Sequence, residues 1–403
     1  MIPSRNGRIA VPLLALVALA SASLGAEQKG HSHTRPAGGG VTSLDVYADV
    51  RARLHLLIAE DVPGGAVALK YARSEDAGQT WLPAIAVGVG QPPPDPVHRG
   101  MDAQIAAAGD HVVAVWTTEG SEDRFRRGPM ASAISADGGR TWKAGPNPAD
   151  DGKATGHAFV DVAADADGVF HCVWLDSRTG VKGLRYARST DGGVTWSANH
   201  TLVEKTCECC WNALATAPGG RVWVLYRQLS PRDMAVVASA DGGRTWGAPS
   251  VAGNFDWQFQ GCPHVGGGLT ASPDARSQEM HAVVWTAKTG APASVFAVRS
   301  ADAGKSWADP VPLGNWKASH PDVAAGAGGR VVAAWDALTE KESAIFTASS
   351  TDGGKTWSEP SRLSLPNRSA THPKVVRVGE KFCVFWTQTM EGEATAWRSA
   401  LVP

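Results

Sequence analysis

The cysteines and histidines carry the strongest chemical signal in this sequence. Cys207-Glu208-Cys209-Cys210 runs into Trp211, and Gly261-Cys262-Pro263-His264 follows in the next repeat-length stretch. His320-Pro321 and His372-Pro373 come later. Thiolates grouped with imidazoles suit Cu(I) or Zn. Cys207, Cys209, Cys210, Cys262, His264 and His320 are therefore candidate ligands of a soft metal ion, Cu or Zn. The same four cysteines can instead pair as disulfides, the default for an exported chain. Three connectivities exist, one of them Cys207–Cys262 with a vicinal Cys209–Cys210 bridge. The C-x-C-C…C-P-H spacing matches no common zinc ribbon. Cys172 and Cys383 lie inside apolar runs and read as buried thiols that pack like small hydrophobes.

A second set of residues suits acidic-sugar chemistry. Arg178, Arg227 and Arg232 offer guanidiniums for a bidentate carboxylate clamp. Asp176 is a candidate acid, although Asp176-Ser177-Arg178-Thr179-Gly180 also reads as a plain turn. Tyr226 stands next to Arg227. Asp233 and Asp336 are further candidate ligand contacts. All these residues lie far apart in sequence, so a scaffold must gather them.

That scaffold is written as a repeat. Ser189 to Trp196 reads STDGGVTW, Ser135 to Trp142 and Ser239 to Trp246 both read SADGGRTW, and Ser350 to Trp357 reads STDGGKTW. Looser copies are SEDAGQTW at Ser74 to Trp81 and SADAGKSW at Ser300 to Trp307. Self-similarity at such a period marks a propeller or array. Within each octet, Asp accepts hydrogen bonds from the backbone that follows, Gly supplies positive φ, and Trp offers a large ring to bury. Short β-branched and aromatic runs precede the octets, among them those ending Val115-Trp116, Val173-Trp174, Leu225-Tyr226, Val284-Trp285 and Ala334-Trp335, and a further run ending Phe385-Trp386 follows the last octet. These read as strands. Hardly any stretch keeps a helical period.

The pattern S-x-D-x-G-x-[TS]-W resembles the Asp-box (BNR) repeat of the sialidase-like propellers. The resemblance implies an all-β propeller of four-stranded antiparallel blades. Seven strand groups against six boxes point to seven blades, with six as the alternative. It further implies that the boxes lie on the face away from any active site. The B–C loops and the connectors leading into each innermost strand would then form the opposite face. Sialidases of this fold clamp a carboxylate with three arginines, one of them in an R-I-P motif. They use a Tyr nucleophile activated by Glu, and an Asp acid/base. This chain has no R-I-P, and neither Tyr226 nor Tyr47 has an evident Glu partner. Tyr71 and Tyr186 precede boxes and are expected away from the mouth.

The N-terminus begins with Arg5 and Arg8, then an apolar run and small residues up to Ala26. Residues 1–26 are expected to be a signal peptide, 27–41 a polar tail and 42–403 one propeller. A periplasmic or secreted location follows, with no membrane span after cleavage. A net charge of −1 provides no basic field for nucleic acid. The function expected is ligand binding, of a metal ion, small molecule or glycan, on the face opposite the boxes and without sialidase activity. The alternatives are a sialidase or other glycoside hydrolase acting on an acidic sugar, and a scaffold for a protein partner.

Overall fold

A computed structural model describes Met1 and residues 40–95, 99–120, 127–152 and 156–402. The chain divides into Met1–Ser32 and His33–Pro403, and everything below concerns the second unit. The expected signal peptide and most of the expected tail lie outside the described residues. Among those residues no helix is long and apolar enough to cross a membrane.

The second unit is a seven-bladed β-propeller. Each blade is an antiparallel meander whose neighbours in sequence are neighbours in the sheet. The innermost strands are Val41–Ala48, Gln104–Ala108, Ala158–Ala164, Ala213–Ala217, Gly267–Ala271, Ala318–Ala325 and Ser369–Val378. Six blades have four strands, and the seventh has three among the described residues, Ser369–Val378, Lys381–Thr389 and Ala396–Val402. The second strands are buried along almost their whole length, from Phe170 to Asp176 in the third blade for example. Strands buried on both faces read as continuous apolar runs, which is why these segments were legible in the sequence.

Each octet forms the turn between the third and fourth strands of its blade. In the third blade, Ser189 Oγ donates to Asp191 Oδ1 at 2.7 Å and accepts the Gly193 amide at 2.9 Å. Thr195 closes the turn on both Asp191 oxygens, its amide at 2.9 Å and its hydroxyl at 2.6 Å. The box amides of Gly138, Gly242 and Gly353 donate to Asp110, Gly220 and Gly329 in the first hairpins of their own blades. Boxes and first hairpins therefore share one face.

The box indoles fasten blades together. Trp142 of the second blade packs edge-on against Tyr71 of the first at 5.2 Å, and Trp246 against Tyr186 at 4.8 Å. Trp81 of the first blade meets Phe385 and Trp397 of the seventh at 5.9 and 5.4 Å. The ring thus closes through the same contact that joins its interior blades. The Val41 amide adds a bond to the Thr395 carbonyl at 2.8 Å.

Candidate functional site

One step of each innermost strand faces the axial channel. In six blades it is the residue paired with the position before the aromatic end of the second strand, and in the first blade Ile58 takes the place of that aromatic. The register places Asp45 opposite Leu57, Gln104 opposite Val115, Asp161 opposite Val173 and Ala213 opposite Leu225. It likewise places Gly267 opposite Val284, Asp322 opposite Ala334 and Lys374 opposite Phe385. All seven line one axial cup of about 170 Å³. Three carboxylates each hold the next blade. Asp45 accepts the Ile105 amide at 2.9 Å, Asp161 that of Leu214 at 2.6 Å, and Asp322 that of Val375 at 2.7 Å. Lys374 Nζ lies 3.5 Å from Asp45 Oδ1, with 34 % of its side chain accessible.

Burial sets the electrostatics of this ring. It raises Asp45 and Asp322 above the ordinary carboxylate range and pushes Asp161 up to about 7, because the charged form loses its water. Burial opposes the charge of Lys374 too, but Asp45, Asp322 and Asp161 outweigh it and its pKa rises. Tyr47 reaches from the first blade to the third, where its hydroxyl donates to the Ala164 carbonyl at 2.8 Å. It lines both the cup and a second vestibule that contains Asp49, Asp165 and other residues near the first hairpins.

The rim of the cup is built from bulges. Two residues ahead of the channel step, Phe159, His320 and His372 all take positive φ, at 54°, 49° and 54°. The pairing register shifts at each of these points. A bulge re-aims side chains beside a sheet edge. The His320 and His372 rings stack with centroids 3.8 Å apart and planes 16° apart. Trp211 lies tilted over His320 at 5.8 Å. Asp336 Oδ2 accepts from His320 Nδ1 at 2.7 Å and from the His372 amide at 2.8 Å. A carboxylate that accepts from Nδ1 fixes both tautomer and ring orientation. The indole of Trp211 is clamped by glycines. A Cβ at Gly100 would stand 2.5 Å from its ring, and one at Gly266 within 2.6 Å of its Nε1.

The cysteines sit beside this rim on the connectors into the fourth and fifth blades. Cys209 is bonded to Cys262, with Cα atoms 6.1 Å apart. This corrects the pairing of Cys207 with Cys262 and of Cys209 with Cys210 considered from the sequence. Cys207 and Cys210 are buried free thiols, their sulfurs 3.7 Å apart, and Cys207 Sγ lies 3.6 Å from Cys209 Sγ. The Cys210 thiol, bonded to Cys207, holds Cys207 down at about 6 against the effect of burial, and Arg227 and Arg232 assist. Burial and the Cys207 sulfur push Cys210 well up. The six residues expected to share one metal fall into smaller groups of donor atoms. These are Cys207, Cys209 and Cys210; Cys209, Cys262 and His264; and His320, Asp336 and His372. Cys172 and Cys383 are buried in second strands, with thiols raised by burial.

The residues considered for sugar hydrolysis are held in structural bonds. Asp176 accepts from Trp174 Nε1 at 2.9 Å, Arg178 Nε at 2.9 Å and Arg185 Nε at 3.0 Å. Burial acts to raise it, but the bonds from Arg178, Arg185 and Trp174 prevail and its pKa falls. Arg178 also binds Asp150 at 3.0 Å and Asn199 at 2.9 Å. Arg227 is buried and donates to the carbonyls of Arg232, Val265 and Trp285. Arg232 is half-buried, its amide bonded to the Trp257 carbonyl. Asp233 accepts the amides of Asp256 and Trp257 at 2.8 and 3.0 Å. Burial pushes the Tyr226 hydroxyl up to about 12. Tyr71 and Tyr186 bond to His55 and His171 near the boxes.

Sequence reasoning passed over Asp45, Asp161, Asp322 and Lys374 as site residues. A signal was present: one charge at the same step of an apolar strand, as in Val160-Asp161-Val162 and Pro321-Asp322-Val323.

Seven meandering blades fastened by Asp-box turns define a BNR-type β-propeller. A family model described as the BNR repeat-like domain matches residues 26–252 and 177–390, and the chain belongs to that family. No curated protein matches the sequence. Among solved structures, the chain is similar to an ulvan lyase, a polysaccharide lyase of family PL25. Identity there is 11 % and the TM-score 0.60, over 91 % of this chain and 94 % of that one. It is similar to a protein of unknown function from Dyadobacter fermentans at 12 % identity and TM-score 0.53, over 91 % and 95 %. It also resembles the propeller domain of the Trilobed protease from Pyrococcus furiosus at 8 % identity and TM-score 0.50, over 91 % and 94 %. At these identities the likeness is one of fold alone.

Proposed function

We propose that this chain is an exported, periplasmic or secreted propeller that binds a transition-metal ion, Cu or Zn, at the rim of its axial cup and does not cleave sialosides. The observation that carries this reading is the meeting of His320, Asp336 and His372, whose donor atoms lie within 4.8 Å of one another. Imidazole and carboxylate donors suit Zn and Cu. His320 and His372 would hold the ion, and Asp336 orients His320 in the manner of an outer-shell carboxylate. The cysteine cluster fits the role less well, because Cys209 and Cys262 are joined and only Cys207 and Cys210 remain thiols. Asp45, Asp161 and Asp322 surround one Lys374, which favours a cation over an acidic sugar.

A second reading rests on the same His320–Asp336 pair. An imidazole held by a carboxylate is also a general-base arrangement, and the ulvan lyase shows that the fold can host polysaccharide chemistry. Elemental analysis of purified protein, with Zn and Cu titrations followed by Trp211 fluorescence, separates the two. About one equivalent of metal is expected, with binding lost in His372→Ala and retained in Cys210→Ser. Protein that stays metal-free through titration overturns the metal reading. Unsaturated product from a uronic-acid polysaccharide would establish the second.

A further inference from the structure

We propose that the four clustered cysteines form a thiol–disulfide exchange centre, with Cys207 as the internal nucleophile and Cys262 as the atom that meets outside thiols or disulfides. The argument begins with placement. Cys207, Cys209 and Cys210 are buried, whereas Cys262 is exposed on a neighbouring connector. The one bridge joins the buried side to the exposed side. A free thiol waits on the buried side, with Cys207 Sγ 3.6 Å from the bonded Sγ of Cys209. The thiolate is the attacking species in exchange. The Cys210 thiol, 3.7 Å away, and the Arg227 guanidinium both favour that form of Cys207.

The step balances without an external oxidant or reductant. The Cys207 thiolate attacks Cys209 Sγ, a Cys207–Cys209 bond forms, and the Cys209–Cys262 bond breaks. Its electron pair leaves on Cys262, which takes a proton from water or stays a thiolate beside His264. The reverse step restores the original bridge. Only Glu208 separates Cys207 from Cys209, so the new bridge is local. The connector into the fifth blade loses its covalent tie to the connector into the fourth. Partners of matching chemistry are small thiols and reactive disulfides, which form mixed disulfides with Cys262 by the same exchange.

The test uses the full native chain, treated with N-ethylmaleimide and digested by trypsin without reduction. Cys207, Cys209 and Cys210 fall in one peptide, residues 206–221, and Cys262 in another, residues 245–276. The expected result is time-dependent maleimide on Cys262, with the link between peptides replaced by a Cys207–Cys209 link within one. Cys207→Ser should slow Cys262 labelling at least about tenfold, since a hydroxyl is a far weaker nucleophile than a thiolate. Cys210→Ser keeps a donor to Cys207 and should still exchange. Maleimide on Cys207 or Cys210 with the Cys209–Cys262 link intact overturns the proposal. Equal labelling of Cys262 in Cys207→Ser does so as well. So does a count below the four free thiols of Cys172, Cys207, Cys210 and Cys383 in denatured, unreduced protein. Should Cys207→Ser fail to fold, the wild-type peptide links decide the matter alone.

Discussion

The two faces of the propeller use the same residue type in opposite ways. On the box face each aspartate repeats one set of bonds. Asp76 and Asp302 are pulled down to about 2 by the Thr80 and Ser306 hydroxyls and the amides around them. In the cup, Asp161 is pushed up to about 7 by burial, and Asp45 and Asp322 rise with it. The box carboxylates take part in closed local turns that recur six times. The seven channel positions instead carry Asp, Gln, Asp, Ala, Gly, Asp and Lys. Where the repeat is uniform, the residues build the ring. Where equivalent positions diverge, they shape one asymmetric cavity. The difference separates what holds this molecule together from what distinguishes it.

The largest effect should come from the seam. Trp81→Ala removes the indole that packs on Phe385 and Trp397, and large-to-small changes of this kind cost about 3 kcal/mol or more. Both indoles are half-buried, and denaturant titration should show a greater loss than for Trp196→Ala at an interior junction, because Trp81 meets two aromatic rings across the seam. Equal losses would mean that closure is no weaker than any other blade junction. Asp191→Ala removes the acceptor of the exposed Thr195 amide and hydroxyl and should cost about 1 kcal/mol. Metal titration of that variant should match wild type, because the box lies on the opposite face.

The pH response divides the faces next. For the boxes, folded pKa values lie below the ordinary 3.8, so their contribution is present above that pH and disappears as pH falls toward 2. For Asp161 the folded value lies above 3.8. The folded state then holds a proton that the unfolded chain releases, so stability falls as pH rises from roughly 4 to 7. Calorimetry on Asp161→Asn should show a flatter profile in that window and a melting temperature raised more at pH 8 than at pH 5. A profile parallel to wild type would show that this carboxyl ionises freely. The smallest effect on stability is expected at the rim. Asp336→Asn should change unfolding by roughly 1 kcal/mol or less, yet weaken Zn or Cu binding about 10–100-fold. Unchanged affinity would remove Asp336 from the site.

Much of the fold was legible because its instructions are local. An Asp box is complete within eight residues, its Asp bonding no further than four positions on, so six turns could be read one at a time. The apolar second strands announced themselves in the same way, and seven strand groups correctly implied seven blades. The departures from the sialidase pattern were legible too, in the missing R-I-P and in Tyr71 and Tyr186 placed just before boxes. The distant bonds of Arg178 to Asp150 and of Arg227 to Val265 and Trp285 were not, since those partners come from other segments of the chain.

By itself, then, the sequence determined the repeat, the all-β class, the face on which the boxes lie and the pool of cysteines and histidines opposite them. Only the tertiary structure decided how that pool is divided. Three full cysteine pairings were open, and the structure instead joins only Cys209 to Cys262, with Cα atoms 6.1 Å apart, and leaves Cys207 and Cys210 as thiols. His320 and His372 stand 52 positions apart in the chain, yet their rings stack at 3.8 Å. The ring of Asp45, Asp161, Asp322 and Lys374 exists only once seven strands converge on one axis. The physical reason is range. Turn chemistry acts within a few residues, whereas burial, which sets the charge of the cup, is a property of the closed ring as a whole.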